Sequence, residues 1–287
     1  KIIPLFTAIA LVLGFSSYAA ADDDLDDRYD DAPLAERFKF RIGGFLIDSF
    51  DTTARFDSTQ YPVGTLLDLE EDFNIDASET DMRIDGFYRF NKKHRIDWTY
   101  YGSRRSGTAV ASQDFVIGDQ GDPDVGCIIP NDSICQTPWN FDLLKVGYAW
   151  SFLNKRRYVM FIGTGLNIRR LDIEIEYQAA ISTLNQEDRL DTASTIPLPT
   201  IAIGGSWNLS DKWQTIFRYE LCLLEFGDYK GSQQDFQLLF EHSTLKLVVF
   251  GVGINTVNIT VRANSDTLRG EFDSRILGVI GYTKIYF

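Results

Sequence analysis

The chain has 287 residues, with 28 Lys+Arg against 41 Asp+Glu and a formal net charge of −13. That balance excludes a nucleic-acid-binding protein, which needs basic patches, and argues against a peripheral protein held electrostatically on anionic lipid. Apolar content is ordinary at 44%, aromatic content is high at 14%, Gly is common at 22 residues and Pro scarce at 8.

Lys1 gives a positive start, Ile2 to Phe15 is an apolar run too short to span a bilayer, and Ala19-Ala20-Ala21 before Asp22 is an A-x-A-like cleavage site. Residues 1–21 therefore read as a signal peptide for the general secretory route; the competing reading is a buried helix of a soluble protein. No Cys stands at the cleavage point, so a lipid anchor is not expected on the mature chain. Removing Lys1 takes the net charge from −13 to −14, over 287 − 21 = 266 residues, a length that fits one large domain. No later apolar run is long enough for a transmembrane helix. An exported chain of this kind is either soluble or a closed barrel, the only other fold that pairs every backbone group within lipid.

Residues 22–36 carry a run of Asp and almost nothing to bury. They read as a disordered acidic lead-in on the periplasmic side; a calcium loop would need Gly-punctuated spacing that the run lacks. Residues 37–287 read as one all-β unit. "MRIDGFYRF" sets Met82, Ile84, Gly86, Tyr88 and Phe90 on one face and Arg83, Asp85, Phe87 and Arg89 on the other. "HRIDWTYYGS" sets Ile96, Trp98 and Tyr100 against Arg95, Asp97 and Thr99, and "LLKVGYAWSF" and "RYVMFIGTGLNI" alternate in the same way.

Alternation alone also fits a soluble sandwich. The connections decide between them. Short polar turns at Asn91–His94, Leu153–Arg156, Leu209–Lys212 and His242–Lys246 alternate with long loops at Ser58–Ser78, Phe115–Pro138 and Gln178–Ala193, and shorter ones at Asp228–Ser232 and Asn264–Leu268. Short turns on one side and long loops on the other mark an outer-membrane barrel. Tyr88, Phe90, Trp98, Trp150, Phe152, Tyr158, Trp207 and Trp213 crowd the short-turn ends, where an aromatic girdle belongs.

The expected fold is a transmembrane antiparallel up-and-down β-barrel of about ten strands, with eight or twelve as alternatives. The strands are Arg37–Asp57, Glu79–Asn91, Arg95–Asp114, Trp139–Phe152, Arg157–Tyr177, Ser194–Asn208, Trp213–Gly227, Gln233–Glu241, Leu247–Ala263 and Arg269–Phe287. In the first, "RIGGFLIDSF" is apolar on both faces, which suggests a bulge at Gly43-Gly44.

Cys127 and Cys135 share the loop-like stretch "DPDVGCIIPNDSICQTPW". In an exported protein they read as a disulfide closing a short loop, against the alternative of two free thiols; without a nearby His no metal site is expected. Cys222 lies in an apolar strand pattern and reads as a packed, inert thiol.

The chain resembles bacterial outer-membrane β-barrel proteins as a broad class. In that class the last strand ends on an aromatic with apolar residues at alternate positions before it; here these are Val279, Gly281, Thr283, Ile285 and Phe287, with Gly281 and Thr283 weaker than the pattern. The resemblance implies that this strand is read by the barrel-assembly machinery and closes against the first strand. It also implies outer-membrane lipid and lipopolysaccharide as the barrel's surroundings.

Some barrels of this size are enzymes, and the resemblance to them would require a His at the outer rim. His94 and His242 fall in or beside the short turns instead, and no GxSxG, HExxH or phosphate loop is present. No catalytic residue, cofactor or metal ligand is assigned. If the apolar faces meet lipid, the lumen receives Arg83, Asp85, Arg89, Asp97, Lys145, Arg169, Arg218 and Glu220. Two readings follow: a narrow porin-like channel passing small solutes, whose selectivity these charges set, or a sealed barrel whose charges pair across the interior while its long loops serve a surface structural or adhesive role.

Overall fold

The computed structural model describes residues 37–58, 65–117, 127–155, 157–178, 187–226, 228–245, 248–264 and 268–286. Residues 1–36, on which the expected signal peptide and acidic lead-in fall, and Phe287 lie outside the described residues. The elements are β1 (Phe38–Ser58), β2 (Leu66–Asp68), α1 (Leu69–Asp72), β3 (Glu79–Arg89), β4 (His94–Val110), β5 (Phe115–Ile117), β6 (Cys127–Ile129), β7 (Ile134–Asn154), β8 (Tyr158–Gln178), β9 (Glu187–Asn208), β10 (Trp213–Phe226), β11 (Tyr229–Ser243), β12 (Val248–Asn264) and β13 (Leu268–Tyr286).

Ten of these form a closed antiparallel barrel in the order β1, β3, β4, β7, β8, β9, β10, β11, β12, β13, and β13 pairs back onto β1 from Lys39↔Tyr286 to Ser58↔Leu268. β2 adds to β1 outside the ring, and β5–β6 is a separate small hairpin. Closure removes both sheet edges. The seam is tight: a Cβ at Gly43 would collide with the backbone of Gly281 and Tyr282, so only glycine fits there.

The strands alternate, with register shifts in β1 and β7. Ile42, Leu46, Met82, Leu144, Val146, Ile162, Val252 and Ile254 stand exposed on the outside, while the polar residues between them point inward and are buried. An exposed apolar surface on this scale is a lipid-facing belt, not the surface of a soluble sandwich. Its lower edge carries Tyr88, Phe90, Trp150, Phe152, Tyr158, Trp207 and Trp213, all exposed beside the short turns. Those turns are held locally. The Asn91 carboxamide oxygen accepts from the amides of Lys93 (2.9 Å) and His94 (3.0 Å), and the Ser210 hydroxyl accepts from those of Lys212 (3.3 Å) and Trp213 (3.2 Å).

Three details differ from the sequence reading. The irregularity in β1 lies at Asp48, between Ile47 and Ser49, and not at Gly43-Gly44. Its effect explains the two-faced pattern: Phe45 and Ile47 face inward before it, and Phe50, Thr52 and Ala54 after it, so the bulge flips the parity. β7 begins at Ile134 and β9 at Glu187, both earlier than expected, because the β7–β8 ladder reaches Ile134↔Gln178 and the β8–β9 ladder runs unbroken to Gln178↔Glu187. The stretch Ser58–Ser78 is not only loop, since it holds β2 and the single turn α1.

Candidate functional site in the barrel interior

The ring order sets which strands oppose one another. β7 and β12 are five places apart in a ring of ten, hence diametrically opposite. One buried apolar cluster nevertheless joins Leu143 of β7 and Val257 of β12, both 0% exposed, with Phe45 of β1, Tyr101 of β4, Leu239 of β11 and Ile276 of β13. Its strands follow one another round the wall apart from β3, and the contacts that cross the interior are polar: Lys145 of β7 reaches Asp235 of β11 and Arg218 of β10 reaches Asp97 of β4, each pair four places apart in the ring, so side chains fill the cross-section at that level.

Charged side chains occupy the rest of the cross-section and pair through it in a chain. Glu241 receives the Lys284 ammonium at 2.5 Å, the Tyr282 hydroxyl at 2.7 Å and Lys39 at 3.7 Å, with Arg41 at 3.9 Å. Arg41 also pairs with Asp85, which Arg83 approaches at 3.4 Å. Arg83 donates to the Asn255 side-chain oxygen (3.1 Å), and Asn255 donates to Asp235 (2.7 Å). Lys145 bridges Asp235 and Glu220, the latter at 2.8 Å; Arg218 bridges Glu220 (2.6 Å) and Asp97 (2.7 Å); Arg95 completes the run on Asp97 at 2.8 Å. Arg89 and Arg95, paired across β3–β4, both lie over the Phe87 ring, at 5.4 and 5.0 Å. Buried charges are tolerated only when partnered in this way.

Arg169 departs from that pattern. It is 5% exposed, its guanidinium sits 5.5 Å from the Phe141 ring, and none of its three nitrogens has a hydrogen-bond partner among the described residues. Both amide atoms of Gln233, the Asn167 Nδ2 and the Tyr101 hydroxyl are likewise unpartnered.

The outer mouth is closed by an insertion. Leu67, Leu69, Phe73 and Ile75 are buried against Ala111, Ile129, Cys135 and Trp139, and Trp139 of β7 stacks on Phe272 of β13 at 6.2 Å. α1 starts at Asp68, whose carboxylate accepts from the amides of Glu70 (3.1 Å) and Glu71 (3.0 Å). Glu70 is the anchor: it accepts from the Thr52 amide (2.8 Å) and from Arg105 (2.8 Å). Arg105 also donates to the Asp76 carbonyl (3.2 Å) and lies 3.6 Å from the Phe50 ring centre. Gly107 lets the insertion approach, since a Cβ there would collide with the backbone of Phe73, Asn74 and Ile75.

Of the eight residues expected at the lumen, the structure buries Arg83, Asp85, Arg89, Asp97, Lys145, Arg169 and Glu220, and leaves Arg218 partly accessible. The run above joins six of them, while Arg89 and Arg169 stand outside it. Sequence reasoning missed Glu241, Asp235, Asn255, Arg41, Lys39 and Lys284. The signal was available, because "DFQLLFEH" alternates and sets Asp235, Gln237, Leu239 and Glu241 on one face.

The disulfide expectation is corrected. Cys135 is a free, buried thiol packed among Leu67, Leu69 and Trp139. The reason is that β7 begins at Ile134, so Cys135 shares the inward parity of Thr137 and Trp139 and is not part of a loop. The Cys127 side chain lies outside the described residues. Cys222 is a free, buried thiol. Along the last strand Val279 and Ile285 face outward, Gly281 and Thr283 share their parity, and Phe287 is not described. His94 stacks on Tyr148 at 5.9 Å and His242 lies tilted against Trp213 at 4.7 Å, both at the short-turn ends.

This architecture has solved counterparts. The chain has the fold of a bacterial outer-membrane β-barrel. The outer membrane protease OmpT from Escherichia coli superposes with a TM-score of 0.52 at 9% identity, over 87% of this chain and 97% of that one. The transport unit of the autotransporter AIDA-I from E. coli gives 0.39 at 8% identity (98% and 97% covered), and Ail, the attachment invasion locus protein of Yersinia pestis, gives 0.29 at 9% (86% and 98%). No protein-family model matches the sequence, and no curated protein matches it. At 9% identity the likeness to OmpT shows the fold alone.

Proposed function

We propose that this protein is an outer-membrane barrel closed along its axis, which works through its outer surface and wall and not as a porin-like pore. The carrying observation is the set of ion pairs that spans the interior, Lys145 of β7 to Asp235 of β11 and Arg218 of β10 to Asp97 of β4. The docked insertion Leu66–Ile75 and the Trp139–Phe272 contact at the outer mouth support the same reading, since they fill the space an axial path would need. Export through the secretory route, and folding signalled by the last strand, belong to this proposal. No catalytic step is assigned: both histidines sit at the short-turn ends, away from the outer rim.

The test is single-channel recording of the refolded protein in a planar bilayer, with folding checked by heat-shifted gel mobility. A folded barrel that gives no discrete conductance steps is the expected result. Salt-dependent steps from folded protein would overturn axial closure and restore the channel.

A further inference from the structure

The barrel wall is not uniform. β9 and β10 pair only from Asn208↔Gln214 to Ile201↔Leu221. Beyond that point β9 continues along β8 alone to Glu187, and β10 along β11 alone to Phe226, with no pairing between them among the described residues. The sequence supplies the cause. β9 carries Pro197 and Pro199, and the β8 ladder runs unbroken past both. Their missing N–H groups therefore fall on the β10 side, where a ladder would need them. The wall at this place is a seam held by side chains.

The seam lies in the outer part of the lipid-facing belt. The outward residues at its start, Ile201 and Leu223, are 70% and 71% exposed, among the most exposed apolar side chains of the molecule. Leu223 also lines a groove of about 390 Å³ over the outer ends of β10–β12. Behind the seam lie the unpartnered polar groups. Arg169 and Asn167 on β8 sit beside Ile196 and Leu198 of β9, and Gln233 on β11 sits beside Cys222 of β10.

The charge count agrees. The interior sets nine cations (Lys39, Arg41, Arg83, Arg89, Arg95, Lys145, Arg169, Arg218, Lys284) against six carboxylates (Asp81, Asp85, Asp97, Glu220, Asp235, Glu241), a formal excess of 9 − 6 = +3. A buried guanidinium without acceptors is costly, and an oxyanion is the partner its donors match best.

We propose that the β9–β10 seam admits an amphiphile from the outer leaflet, an acyl chain bearing an oxyanion head. The head is held by Arg169 and Gln233 inside the wall, while the chain stays against Ile201 and Leu223. This rests on the belt facing lipid but not on axial closure: conductance tests closure, and ligand binding tests the seam.

The experiment uses the full folded chain in phosphatidylcholine nanodiscs with radiolabelled palmitate, and empty discs as the baseline. Saturable binding at one site per chain is expected. It should weaken at least tenfold in Arg169→Met and recover in part in Arg169→Lys. Pro197→Val with Pro199→Val restores both donors, lets the ladder close, and should abolish binding with Arg169 intact. Arg104→Met removes an outward guanidinium paired with Asp142 at 2.9 Å and should change nothing. All variants are first shown to be folded by gel mobility. A lysophosphatidic acid competitor that displaces palmitate would assign a phosphate head to the same site; failure to compete would confine it to carboxylates. Binding no greater than in empty discs, or unchanged by Arg169→Met and by the double proline change, would overturn the proposal. So would protection by inorganic phosphate alone, which would mark an adventitious ion only.

Discussion

Arg105→Met tests what holds the outer mouth shut. Arg105 is buried, with its side chain 1% exposed, and one nitrogen serves both Glu70 at 2.8 Å and the Asp76 carbonyl at 3.2 Å. Methionine keeps the stem over Phe50 but removes the charge. Glu70 would keep its bond from the Thr52 amide and lose its only ion-pair partner among the described residues. Removing one member of a buried pair costs about 3–5 kcal/mol, because the other charge is left desolvated. At roughly 1.4 kcal/mol per tenfold, the docked population of Leu66–Ile75 should fall by a factor of order 10²–10³. Amide exchange measured on the folded barrel should show protection lost across Leu67–Ile75 and retained in β7 and β12. Arg105→Met with Glu70→Gln should regain most of the protection, since neither charge is then orphaned. Unchanged exchange in the single variant would refute the anchor, and so would a double variant no better than the single.

A further prediction concerns the interior. Lys145→Met leaves Glu220 and Asp235 facing each other without their shared cation, and should lower stability to urea unfolding in lipid vesicles by about 3–5 kcal/mol; adding Glu220→Gln and Asp235→Asn should recover most of it.

The fold was legible because alternation survives in nearly every strand and the turns carry their own chemistry, as at Asn91 and Ser210. The exceptions share a cause: they depend on partners far away in sequence. Leu69, Phe73 and Ile75 were hidden among the acids of "DLEEDFNIDASETD", and it is the distant Ala111, Ile129, Cys135 and Trp139 that make them a core. Parity placed Lys145 inward, but whether it would meet Asp235 depends on the shear of the barrel, which no local pattern states. Composition read Cys135 as loop, while its parity with Thr137 and Trp139 was the better guide. Pro197 and Pro199 were legible as edge residues, yet an edge inside a closed ring was not anticipated.

The charge distribution bears on how an anion could reach Arg169. The whole chain carries −13 and the interior set +3, so everything else carries −13 − 3 = −16. The inserted segment that closes the outer mouth is itself acidic, with Glu70, Glu71 and Asp72 in α1. An anion approaching along the axis from outside meets repulsion first and then a packed apolar layer. An anion on an acyl chain, moving within the outer leaflet, meets neither. It arrives at Ile201 and Leu223, where the ladder has already ended; Glu220, inward beside Ala202, is held by Lys145 and Arg218, and Arg169 beyond it is the cation without a hydrogen-bond partner among the described residues. A site that is positive inside a negative protein is reached most easily through the wall, which is why the seam and the unpartnered guanidinium behind it belong to one argument.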